Sequence, residues 1–129
     1  MTGFRLTLPL LSTLVFTGLI MLVSLLPGSS RHGDFPFSWL VMKTPTLLQK
    51  ALHVCLYAIL ALLLVWTLDD LQSWTYRLLI AFILAVAFGA LMEWCQTMVP
   101  GRYGTVFDVA LNAAGAAIGL LAAVLLIQT

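Results

Sequence analysis

Four runs of about twenty apolar residues leave this chain little freedom in how it can fold. They cover roughly Leu6 to Leu26, Leu47 to Leu68, Leu78 to Val99 and Val106 to Ile127. A helix needs about 20 predominantly apolar residues to cross a bilayer, and its backbone must satisfy its own hydrogen bonds there. The expected fold is therefore all-α, a single domain over residues 1–129 built as a four-helix transmembrane bundle. Composition agrees: 62% of the residues are hydrophobic, 9% are charged and the mean hydropathy is +1.08. Soluble domains are roughly 45–50% apolar and about 25% charged, and so short a chain cannot hide the excess in an aqueous core. A soluble enzyme, a disordered tail and a secreted disulfide scaffold are excluded. The net charge of +1, with no basic stripe, excludes a nucleic-acid partner. Cys55 and Cys95 lie inside apolar runs without further ligands nearby, and read as small buried hydrophobes rather than zinc ligands. No metal or cofactor is expected.

The first run exceeds the roughly 7–15 residues of a signal-peptide core, and no A-x-A-like site follows it. Pro27-Gly28-Ser29-Ser30 reads as a helix stop, so the run is expected to remain as a membrane helix. The first loop, from about Pro27 to Thr46, carries Phe35, Phe37, Trp39, Leu40, Val41 and Met42, too apolar for a solvated linker. A partly interfacial segment anchored by Trp39 is expected. Asp69 to Ser73 and Pro100 to Gly104 form tight turns, which makes the third and fourth helices antiparallel neighbours. Arg5 and Arg77 fall on one side of the membrane, and Arg31, Lys43, Lys50 and Arg102 on the other. A plain count places the second group inside, but Lys50 and Arg102 look like site residues, and without them the count ties. Arg5 and the amino terminus then favour cytoplasmic N- and C-termini.

This topology brings the ionisable residues of the last three helices to one end of the bundle. The second and fourth helices start where the third ends, so Lys50, His53, Glu93, Arg102, Asp108 and Asn112 approach one membrane face. Lys50, His53 and Tyr57 share one face of the second helix; Gly89, Glu93 and Gln96 share one of the third. On the fourth, Asp108 and Asn112 continue into Gly115 and Gly119, a small-residue stripe that admits a neighbouring backbone. Glu93 lies six positions before Val99, about 9 Å inside the expected helix end. A carboxylate at that depth needs a partner, and Arg102, Lys50 and His53 are the candidates. A buried ion pair that fixes packing is the plainer reading; a functional site is the sharper one. Asp108, in the first turn of its helix, reads either as a site residue or as a terminal charge. Arg102 suits a phosphate or carboxylate headgroup through bidentate bonding, or simple lipid anchoring.

Ser24-Leu25-Leu26-Pro27, then Lys50-Ala51-Leu52-His53 with Tyr57, is similar to the N-terminal half of the VanZ-like family. Glu93-Trp94-Cys95-Gln96, Pro100-Gly101-Arg102, Asp108, Asn112 and Gly115 resemble its C-terminal half. In the family pattern an Asp often precedes the lysine; Gln49 stands there in this chain. The resemblance implies a small multi-pass protein of a bacterial cytoplasmic membrane, and a part in resistance to the lipid-tailed glycopeptide teicoplanin.

The preferred reading is a binding protein whose polar pocket takes the headgroup of a membrane lipid, lipid-linked precursor or lipoglycopeptide. Lys50 and Arg102 would meet anionic groups, Tyr57, Gln96 and Asn112 would supply neutral hydrogen bonds, and Glu93 and Asp108 would hold the cations. His53 joins them as a ligand contact. The alternative is an intramembrane enzyme on a lipid phosphate or acyl group, with His53, Glu93 and Asp108 as candidate catalytic residues. The lack of an evident side-chain nucleophile leans against it. A structural subunit and a homo-oligomer are further expectations.

Overall fold

The computed structural model describes residues 2–27 and 43–128, with side chains for residues 8–27 and 43–127. Arg5, Arg31 and the apolar residues behind the interfacial-loop expectation lie outside the described side chains. The described residues form four helices: α1 (Thr2–Ser24), α2 (Thr46–Thr67), α3 (Trp74–Gln96) and α4 (Val106–Gln128). The segments Thr46–Thr67, Trp74–Gln96 and Val106–Ile127 are each long and apolar enough to cross a membrane, and α1 adds the shorter apolar stretch Leu8–Ser24.

Side-chain size sorts the two faces of the helices. Leu14, Val15, Leu22, Ile83, Leu121 and Leu126 are exposed, while Ala61, Ala81, Ala85, Ala116 and Ala123 are buried. Membrane helices cannot gain by moving leucine out of water, so close packing of small residues governs which faces meet. The closest approach is between α2 and the parallel α4. A Cβ at Gly115 would strike the Val54 carbonyl, and one at Gly119 the Ala58 carbonyl. α3 packs against both, and α1 lies mainly on α2. There the Thr13 and Thr67 hydroxyls are 2.7 Å apart, and Thr13 donates to the Leu63 carbonyl at 3.2 Å.

The third helix departs from the hydropathy-based expectation at both ends. It begins at Trp74, because the Ser73 side chain caps it by accepting from the Tyr76 amide at 3.5 Å. It ends at Gln96, where Thr97 starts a series of turns leading to Gly101 at φ 74°. Arg77 thus falls in the first turn of α3, at the end opposite the other ionisable residues of these helices. It donates to the Val65 carbonyl at 2.8 Å and pairs with Asp69, closing the C-terminal end of α2. Cys55 is exposed on the outer surface of α2 and Cys95 is half-buried, which corrects the buried placement expected for both. Thiols are apolar enough to face lipid as readily as protein.

Candidate functional site

His53, Glu93 and Asn112 come from three different helices and meet at the end where α2 and α4 begin. Their meeting depends on glycine. A Cβ at Gly89 would lie 3.0 Å from the Tyr57 ring and 3.1 Å from Asn112, so the bare position lets both side chains close against α3. Gly104 lies so close over the Glu93 carbonyl that a Cβ there would overlap it. The turn therefore folds down over the glutamate.

His53 Nδ1 lies 2.8 Å from Asn112 Oδ1 and 3.5 Å from Glu93 Oε1. Asn112 and Glu93 are 0% and 4% exposed, whereas the His53 side chain keeps 22%. Glu93 Oε2 accepts from the Thr105 amide at 3.3 Å. Tyr57 Oη, Glu93 Oε1 and Asn112 Nδ2 are buried and make no hydrogen bond among the described residues. An unmet polar atom in such a place costs about 1–3 kcal/mol, which makes three of them together worth explaining.

Glu93 sits three residues before the end of α3, about 4.5 Å deep rather than the 9 Å expected, because the helix stops at Gln96. Its burial comes from neighbouring helices and the turn, not from depth. Of the three expected partners, His53 is the one within ion-pair distance among the described residues. Lys50 instead holds its ammonium 4.9 Å from the centre of the Phe107 ring. Arg102 turns toward α1: its Nη2 donates to the Val23 and Ser24 carbonyls, both at 3.1 Å, and Nε to Ser24 at 3.3 Å. These carbonyls lie at a helix end and lack intrahelical partners. Burial pushes the Arg102 guanidinium down, while Glu93 and Asp108 hold it up; it stays charged. Asp108 accepts from the Thr105 hydroxyl at 2.6 Å and donates its amide back to that oxygen at 3.0 Å. This reciprocal pair caps α4. The sequence carries the signal as Thr105-x-x-Asp108, but Thr105, which also holds Glu93, was absent from the expected site residues.

Two cavities adjoin the cluster. One, of about 570 Å³, is the more polar of the two and includes Lys50, Gln49, Arg102, Tyr103 and Asp108 in its wall. The other, of about 240 Å³, lies among Ile20, Val23, Leu26, Leu52 and Tyr57, between α1 and α2. Gln49, His53, Gln96 and Arg102 line both. Among the described residues no third His, Cys, Asp or Glu joins His53 and Glu93 in a group that could hold a metal ion.

Fold and site together define a multi-pass α-helical membrane protein with a buried polar cluster beneath one membrane face. The family description VanZ/LLP1 matches residues 5–127, and the chain belongs to this VanZ-like family. No curated protein and no solved structure matches it.

Proposed function

We propose that the protein binds an amphipathic ligand of the cell envelope, headgroup in the polar cavity and chain in the apolar one. The ligand class is a phospholipid, a lipid-linked precursor or a lipoglycopeptide. The observation that carries this reading is the pair of adjoining cavities, unlike in polarity and sharing Gln49, His53, Gln96 and Arg102 as a common wall. A headgroup joined to an acyl or isoprenoid chain has the same division. Lys50 is the cation that would meet a phosphate, since Arg102 is engaged with the end of α1. Of the unmet buried polar atoms, the Tyr57 hydroxyl belongs to a residue lining the apolar cavity, and it is the group a ligand hydroxyl would satisfy; Glu93 and Asn112 line neither cavity.

The protein would lie in the bacterial cytoplasmic membrane with both termini inside, which places the polar cavity at the outer surface. Protection against teicoplanin would follow if its lipid tail were held in this cleft.

Native mass spectrometry of the detergent-solubilised protein with phosphatidylglycerol tests the binding. We expect retained lipid, and about tenfold weaker retention for Lys50→Glu, the equivalent of one lost charged hydrogen bond. Absence of retained lipid, or equal retention by the variant, would overturn the reading. Expression in teicoplanin-sensitive cells should raise the tolerated dose, an effect that Lys50→Glu should reduce.

A further inference from the structure

We propose that the junction of the two cavities hydrolyses a carboxylic ester of a bound glycerophospholipid, with His53 as general base and water as nucleophile. The proposal rests on the lipid-binding reading above. His53 Nδ1 faces two oxygens, Asn112 Oδ1 at 2.8 Å and Glu93 Oε1 at 3.5 Å. The Asn112 amide oxygen accepts, so the ring carries its proton on Nδ1 and leaves the lone pair on Nε2. Asn112 and Glu93 are buried beneath the ring, and the ring itself lines both cavities. A base fixed from behind by a third group and open in front is the arrangement that general-base catalysis requires. Asn112 and Glu93 occupy Nδ1, which leaves Nε2 to act on a water that serves as the attacking group.

Placement selects the bond. In a glycerophospholipid the phosphate lies on the headgroup side and the carboxylic esters lie where the chains begin. Lys50 lines the polar cavity alone, whereas His53, one turn further along the same face of α2, stands at the boundary between polar and apolar space. A phosphate held at Lys50 therefore brings an ester toward Nε2. There Nε2 takes a proton from water as the water oxygen bonds to the ester carbonyl carbon, and the carbonyl electron pair moves onto oxygen on the Lys50 side. Collapse re-forms the carbonyl and breaks the bond to the glycerol oxygen, which takes the proton from Nε2. The products are a fatty acid and a lysophospholipid. Glu93 stabilises the imidazolium between the two proton transfers. Asn112 is a positioning residue, acting through the ring.

The test uses the full chain in phosphatidylglycerol vesicles made up in oxygen-18 water, with released fatty acid read by mass spectrometry. We expect fatty acid carrying one heavy oxygen, and at least about a 100-fold slower release for His53→Gln. Asn112→Ala should lower kcat more than KM. Nitrogen-15 NMR of the imidazole, in a His32→Gln background, should then show mixed tautomers where the unmodified Asn112 gives one. No labelled fatty acid from protein that retains phosphatidylglycerol, or release unchanged by His53→Gln, would overturn the hydrolysis while the binding reading stands. Protein that retains no phosphatidylglycerol would overturn both.

Discussion

Arg102 shows how much one side chain can do at the end of a helix. Its guanidinium reaches carbonyls of Val23 and Ser24, which are remote in sequence, and so ties the last turn into the end of α1. Arg102→Ala should lower stability by about 1–3 kcal/mol, the cost of leaving the carbonyl of the buried Ser24 unpaired. Arg102→Lys should recover only part of this, because an ammonium is a point charge without the planar fork. Thermal unfolding of the detergent-solubilised protein, followed by tryptophan fluorescence, would measure both. A spacing pattern cannot separate a cation meant for phosphate from one meant for carbonyls, since both place arginine near a helix end. The Thr105–Asp108 pair has the same ambiguity and resolves in the same direction, as a cap. Thr105→Ala should cost about 1 kcal/mol in the same assay and loosen the amide contact to Glu93.

Among the elements, the contact of α2 with α4 is the one on which the rest depends. Gly115 and Gly119 sit directly over carbonyls of the opposing helix, with no flexible side chain between to give way. We expect Gly115→Ala and Gly119→Ala to destabilise by about 1–3 kcal/mol each and to move Asn112 away from His53. Gly18→Ala is the control. A Cβ there meets nothing within 4 Å, so no loss is expected. Denaturant titration of the three variants reads the difference. This packing was legible in the sequence, because Asp108, Asn112, Gly115 and Gly119 fall on one helical face and hydrophobic helices associate through small residues. The limits of α3 were less legible. Hydropathy marks where apolar residues begin and end, whereas a helix starts at its cap, and Ser73 precedes the apolar run by several residues.

For the molecule as a whole, the placement of charge separates the two membrane faces. Asp69, Asp70 and Arg77 gather at one end, and Lys50, Arg102 and Asp108 at the other. With Cys55 and Cys95 replaced, a cysteine at Tyr103 should react with an impermeant thiol reagent in intact cells. One at Asp70 should react only after lysis. The opposite pattern would place the polar cavity inside the cell and reverse the orientation proposed above. Tyr103 suits the test because it is 84% exposed.

The sequence by itself determined the class of fold and which end of it is polar. Runs of bilayer length force helices, short turns alternate their direction, and alternation alone carries Lys50, His53, Glu93, Asp108 and Asn112 to the same face. It could not determine which of these side chains touch. That choice depends on rotation and separation of the helices, which close backbone contacts at Gly104, Gly115 and Gly119 and the side chains packed on Gly89 set. The tertiary structure therefore decided that His53 faces Asn112 and Glu93, that Arg102 serves α1, and that Lys50 lies over Phe107. Periodicity places a residue on a face. A hydrogen bond needs the neighbouring helix as well.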